Sequence, residues 1–488
     1  MIANLGPYPA MKDSGVESLG EVPKHWEVQP IGRMGRLFKG NGGSKEDEVP
    51  AGVPCVRYGD LYSRHEYFIT CAKGFVSVER ATDYTPIRYG DLLFAASGET
   101  IEDIGRSAVN LMQTGAVCGG DLLLMRPKVA VLPEYLGYAA DSAASREQKA
   151  RMGRGFTVVH IYRSQLRRLA LPLPPVTEQA AIVRFLGHVN RRIQRYIRAK
   201  LKLIKLLEEQ KQAIIHQAVT RGLDQNVHFE SSGVDWLGEV PEHWEVRKVG
   251  AVSARVTKGT TPTTLGRGFV DEGVRFVKVE SISQDRRVMA TMCSFIDAAT
   301  DELLARSRLR AGDVLVAIAG AIGRVAVVAE DDCPANCNQA VAIVSPHTGQ
   351  VSAQWLSLVL SSPAAQAHLS TAAVQSAQAN LSLADLRQMQ VPIPPLQEQR
   401  ELDRRLNDVV EAVNGAIRRA SLEIELVKEF RTGLVAEVVT GKLDVREAAA
   451  RLPDEGDEPD VVDEVGEGLD AVEASDDELD EVLEGAEV

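Results

Sequence analysis

Long apolar runs, aromatic residues and cysteines are all scarce in this chain. No apolar run approaches the roughly 20 residues that a membrane-spanning helix needs. The first 15 residues show neither the basic nor the apolar region of a secretory signal, so we expect a cytoplasmic protein without a membrane segment. Among the six cysteines, Cys333 and Cys337 are close in sequence and His347 follows, but no fourth ligand has a zinc-site spacing. We therefore expect reduced thiols and no metal site.

Sequence motifs for catalysis are missing as well. The chain has no phosphate-binding loop that ends in Lys-Ser or Lys-Thr, and no Gly-x-Gly-x-x-Gly after a strand. It also lacks an amino-methyltransferase motif of the Asn-Pro-Pro-Tyr type, a His-Glu-x-x-His and a Gly-x-Ser-x-Gly. One Glu-x-Lys, at Glu209, lies in a predicted helix and is interpreted as part of its solvated face. The sequence therefore predicts a chain that is not itself an enzyme.

The net charge of −13 conceals a strong asymmetry. Between Leu452 and Val488 there are 17 acidic residues and no Lys or Arg, which leaves 55 basic and 51 acidic residues in the rest of the chain. This C-terminal tail has no aromatic residue and few large apolar residues, a composition typical of disorder. We expect a disordered polyanion that competes weakly with DNA for basic surfaces.

A long internal repeat organises the remainder. The phrase GVESLGEVPKHWEV from Gly15 recurs as GVDWLGEVPEHWEV from Gly233, with 11 of 14 positions identical. RYGDLLFAASG recurs as RAGDVLVAIAG, LPLPPVTEQ as VPIPPLQEQ, and AVTRGLD as VVTGKLD, always at an offset of 218 to 222 residues. This period is far longer than the 20 to 50 residues of a solenoid unit. The sequence therefore contains a duplicated pair of domains.

Each copy begins with about 150 residues of short Val-, Ile- and Thr-rich runs that are broken by Gly, Pro and Asp, which predicts a mixed α/β globule rich in irregular β-sheet. A Pro-Pro pair and an apolar stripe at three- and four-residue steps then predict a helix that ends at Gly222 or Gly441. Each helix has about 46 residues and a length of ~70 Å. Such a stripe favours a coiled coil, and we expect the two helices to pair in antiparallel orientation.

Two related globules on a twofold helical pair are suited to duplex DNA, whose half-sites recur with the helical repeat. The repeated opening phrases, the helix-opening phrases LPLPPVTEQAAIVRFL and VPIPPLQEQRELDRRL, and the segments TKGTTP and SAQANLSLADL resemble the specificity subunits of type I restriction-modification enzymes. The resemblance covers about residues 8–445. The acidic tail lies outside it.

The resemblance implies a particular division of the chain. It predicts a first target-recognition domain at 1–170, a first long helix at 171–224, a second target-recognition domain at 225–390, a second long helix at 391–445 and the tail at 446–488. Each recognition domain would read one half of a bipartite target in double-stranded DNA, and the helices would set the spacing.

The resemblance also implies partners. Two methyltransferase subunits would dock on the helices, and motor-nuclease subunits would join them. S-adenosylmethionine, ATP and Mg²⁺ are expected on those partner subunits, and no cofactor is expected on this chain.

Base reading requires polar side chains that project from loops, and phosphate contacts require Lys, Arg and backbone N–H groups. The loops FKGNGGSK and TKGTTPTT meet this need, and so do GRGFTVVHI and its counterpart AVQSAQANLS, although NLSLADL is also typical of a helix cap. Further cations lie at the ends of predicted strands, and Arg106 and Arg324 occupy matched positions. The predicted DNA contacts are Lys39, Asn41, Arg57, Arg64, Arg106, Arg151, Arg154, Lys258, Thr260, Thr261, Lys278, Arg286, Arg287, Arg324, Gln378 and Asn380.

Two alternatives remain open at this stage. The chain could be a two-headed scaffold on a coiled coil that binds something other than DNA. A self-contained methyltransferase-nuclease is opposed by the missing motifs.

Overall fold

The computed structural model describes residues 5–43, 47–155, 158–222, 224, 226–374 and 380–453. These residues form two compact units, one from the residues up to 200 together with those from 422, and one from residues 201–421. Both points of division fall inside the two long helices. The predicted mixed α/β class, with two β-rich domains and two long helices, is confirmed.

In the first copy, the strands are β1 Met11–Asp13, β2 Glu21–Pro23, β3 Glu27–Pro30, β4 Gly35–Lys39, β5 Glu48–Val49, β6 Val53–Val56, β7 Tyr67–Ile69, β8 Gly74–Val76, β9 Thr85–Ile87, β10 Leu92–Ala95, β11 Ser97–Gly98, β12 Ser107–Asn110, β13 Ala116–Cys118, β14 Leu122–Pro127, β15 Val159–His160 and β16 Ala170–Leu173. The helices are α1 Ile31–Met34, α2 Asp60–Ser63, α3 Val78–Ala81, α4 Pro133–Asp141, α5 Ala143–Met152, α6 Arg163–Leu166 and α7 Val176–Arg221.

In the second copy, the strands are β17 Phe229–Ser231, β18 Glu239–Pro241, β19 Glu245–Lys248, β20 Ser253–Lys258, β21 Val274–Val277, β22 Ser294–Ile296, β23 Val314–Ala317, β24 Val325–Val327, β25 Ala335–Cys337, β26 Val341–Pro346 and β27 Gln390–Ile393. The α-helices are α8 Ala298–Leu303, α9 Ala353–Ser361, α10 Pro363–Val374, α11 Leu383–Gln388, α12 Leu396–Val439 and α13 Arg446–Ala450.

The first unit contains two five-stranded sheets. One has the order β4-β14-β10-β12-β7, with only the β12–β7 pair parallel, and the other has the order β5-β8-β6-β13-β9. Strands β10, β12 and β14 are almost completely buried, because α4 and α5 cover one face and the second sheet lies by the other. Such continuous apolar strands are typical of a sheet that is buried on both faces.

The second unit repeats the central part of this plan. Its main sheet has the order β20-β26-β23-β24, which matches β4-β14-β10-β12, and its second sheet has the order β22-β21-β25. In the paired strands Leu93 faces Leu124, and Leu315 faces Ile343. The repeat seen in the sequence is therefore a repeat of strand order.

A buried aspartate shapes the turn before the central strand in both copies. The carboxylates of Asp91 and Asp313 accept the backbone N–H of the residue three positions earlier, at 2.8 and 2.9 Å, and the glycine between has φ of +83° or +84°. Arg126 donates to Asp91 at 2.6 Å and Arg255 donates to Asp313 at 2.8 Å. The Gly-Asp pair thus makes the turn before the central strand, and an arginine from another strand of the same sheet neutralises the buried charge.

The two recurrent phrases contact each other within each unit. In the first unit the indole N–H of Trp26 donates to the carboxylate of Glu178 at 2.9 Å, and His25 Nε2 lies 2.7 Å from the same carboxylate. In the second unit Trp244 donates to Glu398 at 3.1 Å, and His243 lies 2.8 Å away. The opening phrase and the helix-opening phrase recur together because they form one junction.

A glutamine completes this junction. The amide oxygen of Gln179 accepts the N–H of Leu132 before α4, and its amide nitrogen donates to the carbonyl of Pro174. Gln399 makes the equivalent bonds with Ser352 and Pro394. Both glutamine side chains are fully buried, so their hydrogen bonds join the start of each long helix to its own globule.

The long helices pair in antiparallel orientation within each unit. In the first unit Lys200 Nζ lies 2.7 Å from Glu423, and Arg431 reaches Asn190 at 3.4 Å. In the second unit Lys211 donates to Asn414 at 3.2 Å, while Ala218 and Val219 share a core with Leu402 and Leu406. Partner numbers fall as the residue number in α7 rises, which confirms the antiparallel pairing expected from the sequence.

The first unit includes residues beyond position 446, where the sequence analysis predicted that the tail begins. Helix α13 follows α12, Val445 and Ala449 are part of the core of the first unit, and Leu452 is also buried. Residues 446–453 therefore belong to that unit, and the rest of the tail lies outside the described residues. None of the helices described here is both long and apolar enough to span a membrane.

Candidate nucleic-acid interface

A Lys-Gly pair ends the matching edge strands of the two main sheets. Lys39 is the last residue of β4 and Lys258 the last residue of β20. Both side chains are exposed, and neither ammonium forms an ion pair within the described part of the chain. A Cβ on Gly40 would lie 2.1 Å from the carbonyl oxygen of Gly119, so only glycine fits there. Close backbone packing thus holds each lysine at a fixed point.

The residues after these glycines are anchored differently in the two units. Asn41 donates its side-chain N–H to the carbonyl of Asp83 at 3.0 Å and remains exposed. The backbone N–H of Thr260 donates to Cys337 at 3.1 Å, and the hydroxyl of Thr261 contacts the side-chain oxygen of Gln339. The loops share a backbone frame but present an amide in one unit and hydroxyls in the other.

The second predicted pair of loops is described in part. Arg154 is exposed, its guanidinium donates to Gly153, and its backbone pairs with His160. In the other unit Gln378 lies outside the described residues, and Asn380 is exposed just before the helix cap. Ser382 accepts the N–H of Asp385 at 3.1 Å, so the interpretation of NLSLADL as a cap is confirmed.

Arg151 is engaged by carboxylates rather than left open to a ligand. Its guanidinium lies 2.5 Å from Glu17 and 2.6 Å from Glu147. These pairs tie α5 to the loop of the opening phrase. In the second unit Thr371 and Ala367 replace Arg151 and Glu147, whereas Glu17 is matched by Asp235, so the second copy lacks the cation of these ion pairs.

Three of the cations at strand or helix ends have partners nearby. Arg57 pairs with Glu48 at 2.6 Å, and Arg64 lies 3.5 Å from Asp60. Lys278 lies 3.8 Å from Glu280 and 4.7 Å from the centre of the Phe269 ring. These contacts orient the cations without burying them fully.

Arg286 and Arg287 point to different surroundings. Arg286 has a φ of +62° and reaches Ser357 on α9 and Asn407 on α12, both at 3.4 Å. Burial lowers the pKa of this guanidinium, whereas nearby Asp403 opposes the shift. Arg287 is exposed. The structure thus directs Arg286 towards α12, and Arg287 is the more accessible of the two.

Arg106 and Arg324 are equivalent in backbone but not in side chain. Their carbonyls accept the N–H of Ala95 and Ala317 in the matching strands, at 2.9 and 2.8 Å. The guanidinium of Arg106 contacts Asp103 at 3.2 Å, and that of Arg324 reaches the carbonyl of Ile282 at 3.4 Å. The repeat therefore preserves the strand pairing rather than one shared side-chain contact.

Sequence reasoning missed one group of cations in the first unit. Arg163, Arg167 and Arg168 lie exposed on or just after α6. Gln165 donates to the carbonyl of Met152 at 2.7 Å, which joins α6 to the end of α5 and the Arg154 loop. The run YRSQLRR carried this signal in the sequence.

The arrangement provides exposed cations and polar side chains on loops that two buried sheets hold in place. It contains no cluster of three or more metal-ligating side chains within the described ranges. Such a surface can contact phosphates through its lysines and arginines, and base edges through Asn41, Thr260 or Asn380. The DNA contacts of individual residues remain predictions.

Comparison with known proteins gives a consistent result. Residues 241–426 match the family model of the type I restriction modification DNA specificity domain. The specificity subunit of the type I restriction enzyme EcoBI from Escherichia coli is 29% identical over 299 residues, which cover 58% of this chain and 62% of that protein. The putative MjaX specificity subunit from Methanocaldococcus jannaschii is 25% identical over 438 residues, covering 88% of this chain and 96% of that protein.

A solved structure supports the fold over most of the chain. A protein from a structural study of complex assembly and conformational transition in the type I R-M system aligns with a TM-score of 0.65 and 18% identity. The alignment covers 86% of this chain and 99% of that protein. At this identity the likeness concerns the fold alone.

Proposed function

Because these comparisons confirm the resemblance to type I restriction-modification specificity subunits, we propose that the chain selects the DNA sequence on which such a complex acts. The family supports a role in DNA sequence specificity and no catalytic role for the chain itself. The observation that carries the proposal is the repeated unit. In each copy a Lys-Gly pair ends the matching edge strand of the main sheet, and different polar residues follow it.

Each unit reads one half of a bipartite target in this proposal. The proposal is supported by the contrast between the loop backbone, which the two units share, and the exposed side chains, which differ. Gly40 and Gly259 occupy equivalent close-packed positions, whereas Asn41 is replaced by Thr260 and Thr261. Lysine contacts to phosphate hold a protein in register on the duplex, and amide or hydroxyl contacts to base edges distinguish sequences. The two loops therefore suit two different half-sites.

The helices dock methyltransferase subunits and set the gap between half-sites in this proposal. Exposed apolar residues on α12 support docking, since Leu422, Leu426 and Phe430 recur every fourth residue and are each 47% exposed or more. Such a stripe on one helix face is typical of a protein interface. The methyltransferase would bring S-adenosylmethionine, and the motor-nuclease subunits would bring ATP and Mg²⁺.

The test is the methylated motif of loop variants, expressed with the methyltransferase partner. Lys258→Ala with Thr260→Ala and Thr261→Ala should relax or weaken one half-site only. Lys39→Ala with Asn41→Ala is the matched variant in the other unit and should affect the other half-site. A change to both half-sites by either variant would refute independent reading.

The same experiment separates the proposal from the alternative of a scaffold that does not bind DNA. If the parent chain supports methylation at no defined motif while it still binds the methyltransferase, sequence selection is not its role. If it supports a motif that neither variant alters, the chain selects DNA through other residues, and the assignment of these loops is wrong.

A further inference from the structure

One face of the first long helix carries a row of arginines. Arg184, Arg191, Arg195 and Arg198 are spaced by seven, four and three residues, which places them on one face of α7 at 100° per residue. This face is opposite the buried side of the helix, which Ile182, Ile193 and Ile197 form. Arg191, Arg195 and Arg198 are exposed. We refer to these four arginines as the basic stripe.

The second long helix has no such stripe. At the repeat offset of 220 residues, the counterparts of Arg191, Arg195 and Arg198 are Glu411, Gly415 and Arg418. Arg418 pairs with Glu411 at 2.6 Å, so the helix neutralises its own charge. The basic stripe is therefore a property of one copy and not of the repeated framework.

The chain leaves the first unit beside the first arginine of this stripe. The guanidinium of Arg184 donates to the carbonyl oxygens of Leu452 and Pro453, at 2.6 and 3.2 Å. Leu452 itself is buried. The next seven residues, 454–460, include five carboxylates, and residues 454–488 contain 17 in all with no Lys or Arg.

We propose that residues 454–460 lie along the basic stripe, with their carboxylates against Arg191, Arg195 and Arg198. The lengths agree. Arg184 and Arg198 are 14 residues apart on the helix, or about 21 Å. Seven residues of extended chain cover about 23 Å. The occupant of the stripe is thus the chain's own acidic segment, which starts where the stripe starts.

This contact has a physical consequence for nucleic-acid binding. Exposed ion pairs contribute little each, but a row of arginines that carboxylates cover is no longer available to phosphates. The acidic segment would therefore suppress sequence-independent binding of DNA to α7. Sequence selection by the loops of the two units does not depend on this contact.

Cross-linking of the full chain tests the placement directly. Arg195→Lys and Arg198→Lys keep the charge and supply amines that a zero-length carbodiimide reagent couples to adjacent carboxylates. We expect cross-links from positions 195 and 198 to residues 454–460, identified by mass spectrometry. They should be lost at about 1 M NaCl, where the Debye length falls to about 3 Å.

Two controls make each outcome decisive. The natural pair of Lys200 and Glu423, 2.7 Å apart, must cross-link in the same sample. Arg418→Lys places an amine at the counterpart of Arg198 and should give no cross-link to residues 454–460. If the Lys200–Glu423 link forms but positions 195 and 198 link to no tail residue, or no more often than position 418 does, the proposal is wrong.

A binding measurement tests the consequence. The five carboxylates of residues 454–460 are changed to amides in the full chain, and affinity for duplex DNA of random sequence is measured against salt. We expect a several-fold rise at low salt and a log–log slope steeper by up to about 3, because three uncovered arginines add phosphate contacts. The matched control changes Asp476, Asp477, Glu478, Asp480 and Glu481 to amides and should have a much smaller effect. Equal effects would show that the tail acts only as a diffuse polyanion.

Discussion

A completely buried lysine in the first unit offers a sharp test of how the two copies diverged. Lys149 donates to Asp141 at 2.7 Å, to the hydroxyl of Ser107 at 3.1 Å and to the carbonyl of Ala140 at 3.1 Å. Arg146 also pairs with Asp141, at 2.7 Å. In the second copy Leu369, Gln366, Ser361 and Val325 replace Lys149, Arg146, Asp141 and Ser107. One copy thus holds a charged cluster where the other holds uncharged side chains.

Lys149→Leu should destabilise the first unit by about 3 kcal/mol, because it leaves Asp141 buried with one cation instead of two. The quadruple variant Ser107→Val, Asp141→Ser, Arg146→Gln and Lys149→Leu installs the residues of the second copy. It should be within about 1 kcal/mol of the parent, since a buried ion pair replaced by well-packed neutral residues is often close to neutral. Hydrogen exchange measured on peptides of α4 and α5 reports the change, with peptides of the second unit as the internal reference.

The destabilisation caused by Lys149→Leu should also depend on pH. Burial disfavours the Asp141 carboxylate, but Lys149 and Arg146 outweigh burial, so the pKa of Asp141 lies below its usual value of 3.8. A group with a depressed pKa contributes stability above its unfolded pKa and loses it as the pH falls through the folded value. The difference between Lys149→Leu and the parent should therefore shrink below about pH 4. A quadruple variant as unstable as Lys149→Leu would refute the equivalence of the two clusters.

Three further predictions address the junctions, the loop glycines and the helices. Glu178→Ala should destabilise the first unit by about 2–4 kcal/mol, because the buried donors Tyr8 and Trp26 lose their acceptor. Glu398→Ala should destabilise the second unit by a smaller amount, because that junction is more exposed. Glu425→Ala, at an exposed position of α12, should change the free energy of unfolding by less than about 0.5 kcal/mol in a thermal melt. Gly259→Ala should destabilise the second unit by about 1–3 kcal/mol in urea unfolding, because the new Cβ would lie 2.0 Å from the carbonyl oxygen of Cys337. Gly268→Ala is the control and should not change stability, because a Cβ there meets no atom within 4 Å. Four residues inserted as helix after Lys200, together with four after Ser421, add ~6 Å to both helices, and the methylated motif should gain roughly one or two base pairs of gap. An active variant with an unchanged gap would contradict the role of the helices in spacing.

The order of domains and long helices could be predicted because the same sequence pattern occurs in both copies of the repeat. Each helix ends within two residues of the predicted glycine, since Gly222 and Gly441 have φ of +69° and +74° and both lie against a tryptophan of an opening phrase. Trp26 and Trp244, which occupy matched positions in the two opening phrases, are both buried. From the sequence, Glu178 is an acidic residue in the first turn of α7, where the helix dipole favours a negative charge. Its role as acceptor for Trp26 requires a contact between residues 152 positions apart, which no local pattern reveals.

The candidate site was less predictable, for a reason that applies to any cation on a surface. Sequence shows that an arginine follows a strand, but not which carboxylate folding brings near it. Arg151 meets Glu17 from 134 positions away, and Arg286 meets Asn407 from 121 positions away. Lys39 and Lys258 could be placed because each closes an edge strand before a glycine that backbone packing requires. Local sequence patterns of strands and turns were thus sufficient to predict the positions of the loops. Which cations remain accessible depends on contacts between residues that are distant in sequence.

Sequencing of methylated bases in cells that express this chain with the proposed methyltransferase partner tests the central claim most directly. Two units that each read one half-site predict a single bipartite motif, with two short specified segments separated by a gap of fixed length. One uninterrupted motif, or methylation without any defined motif, would contradict the account.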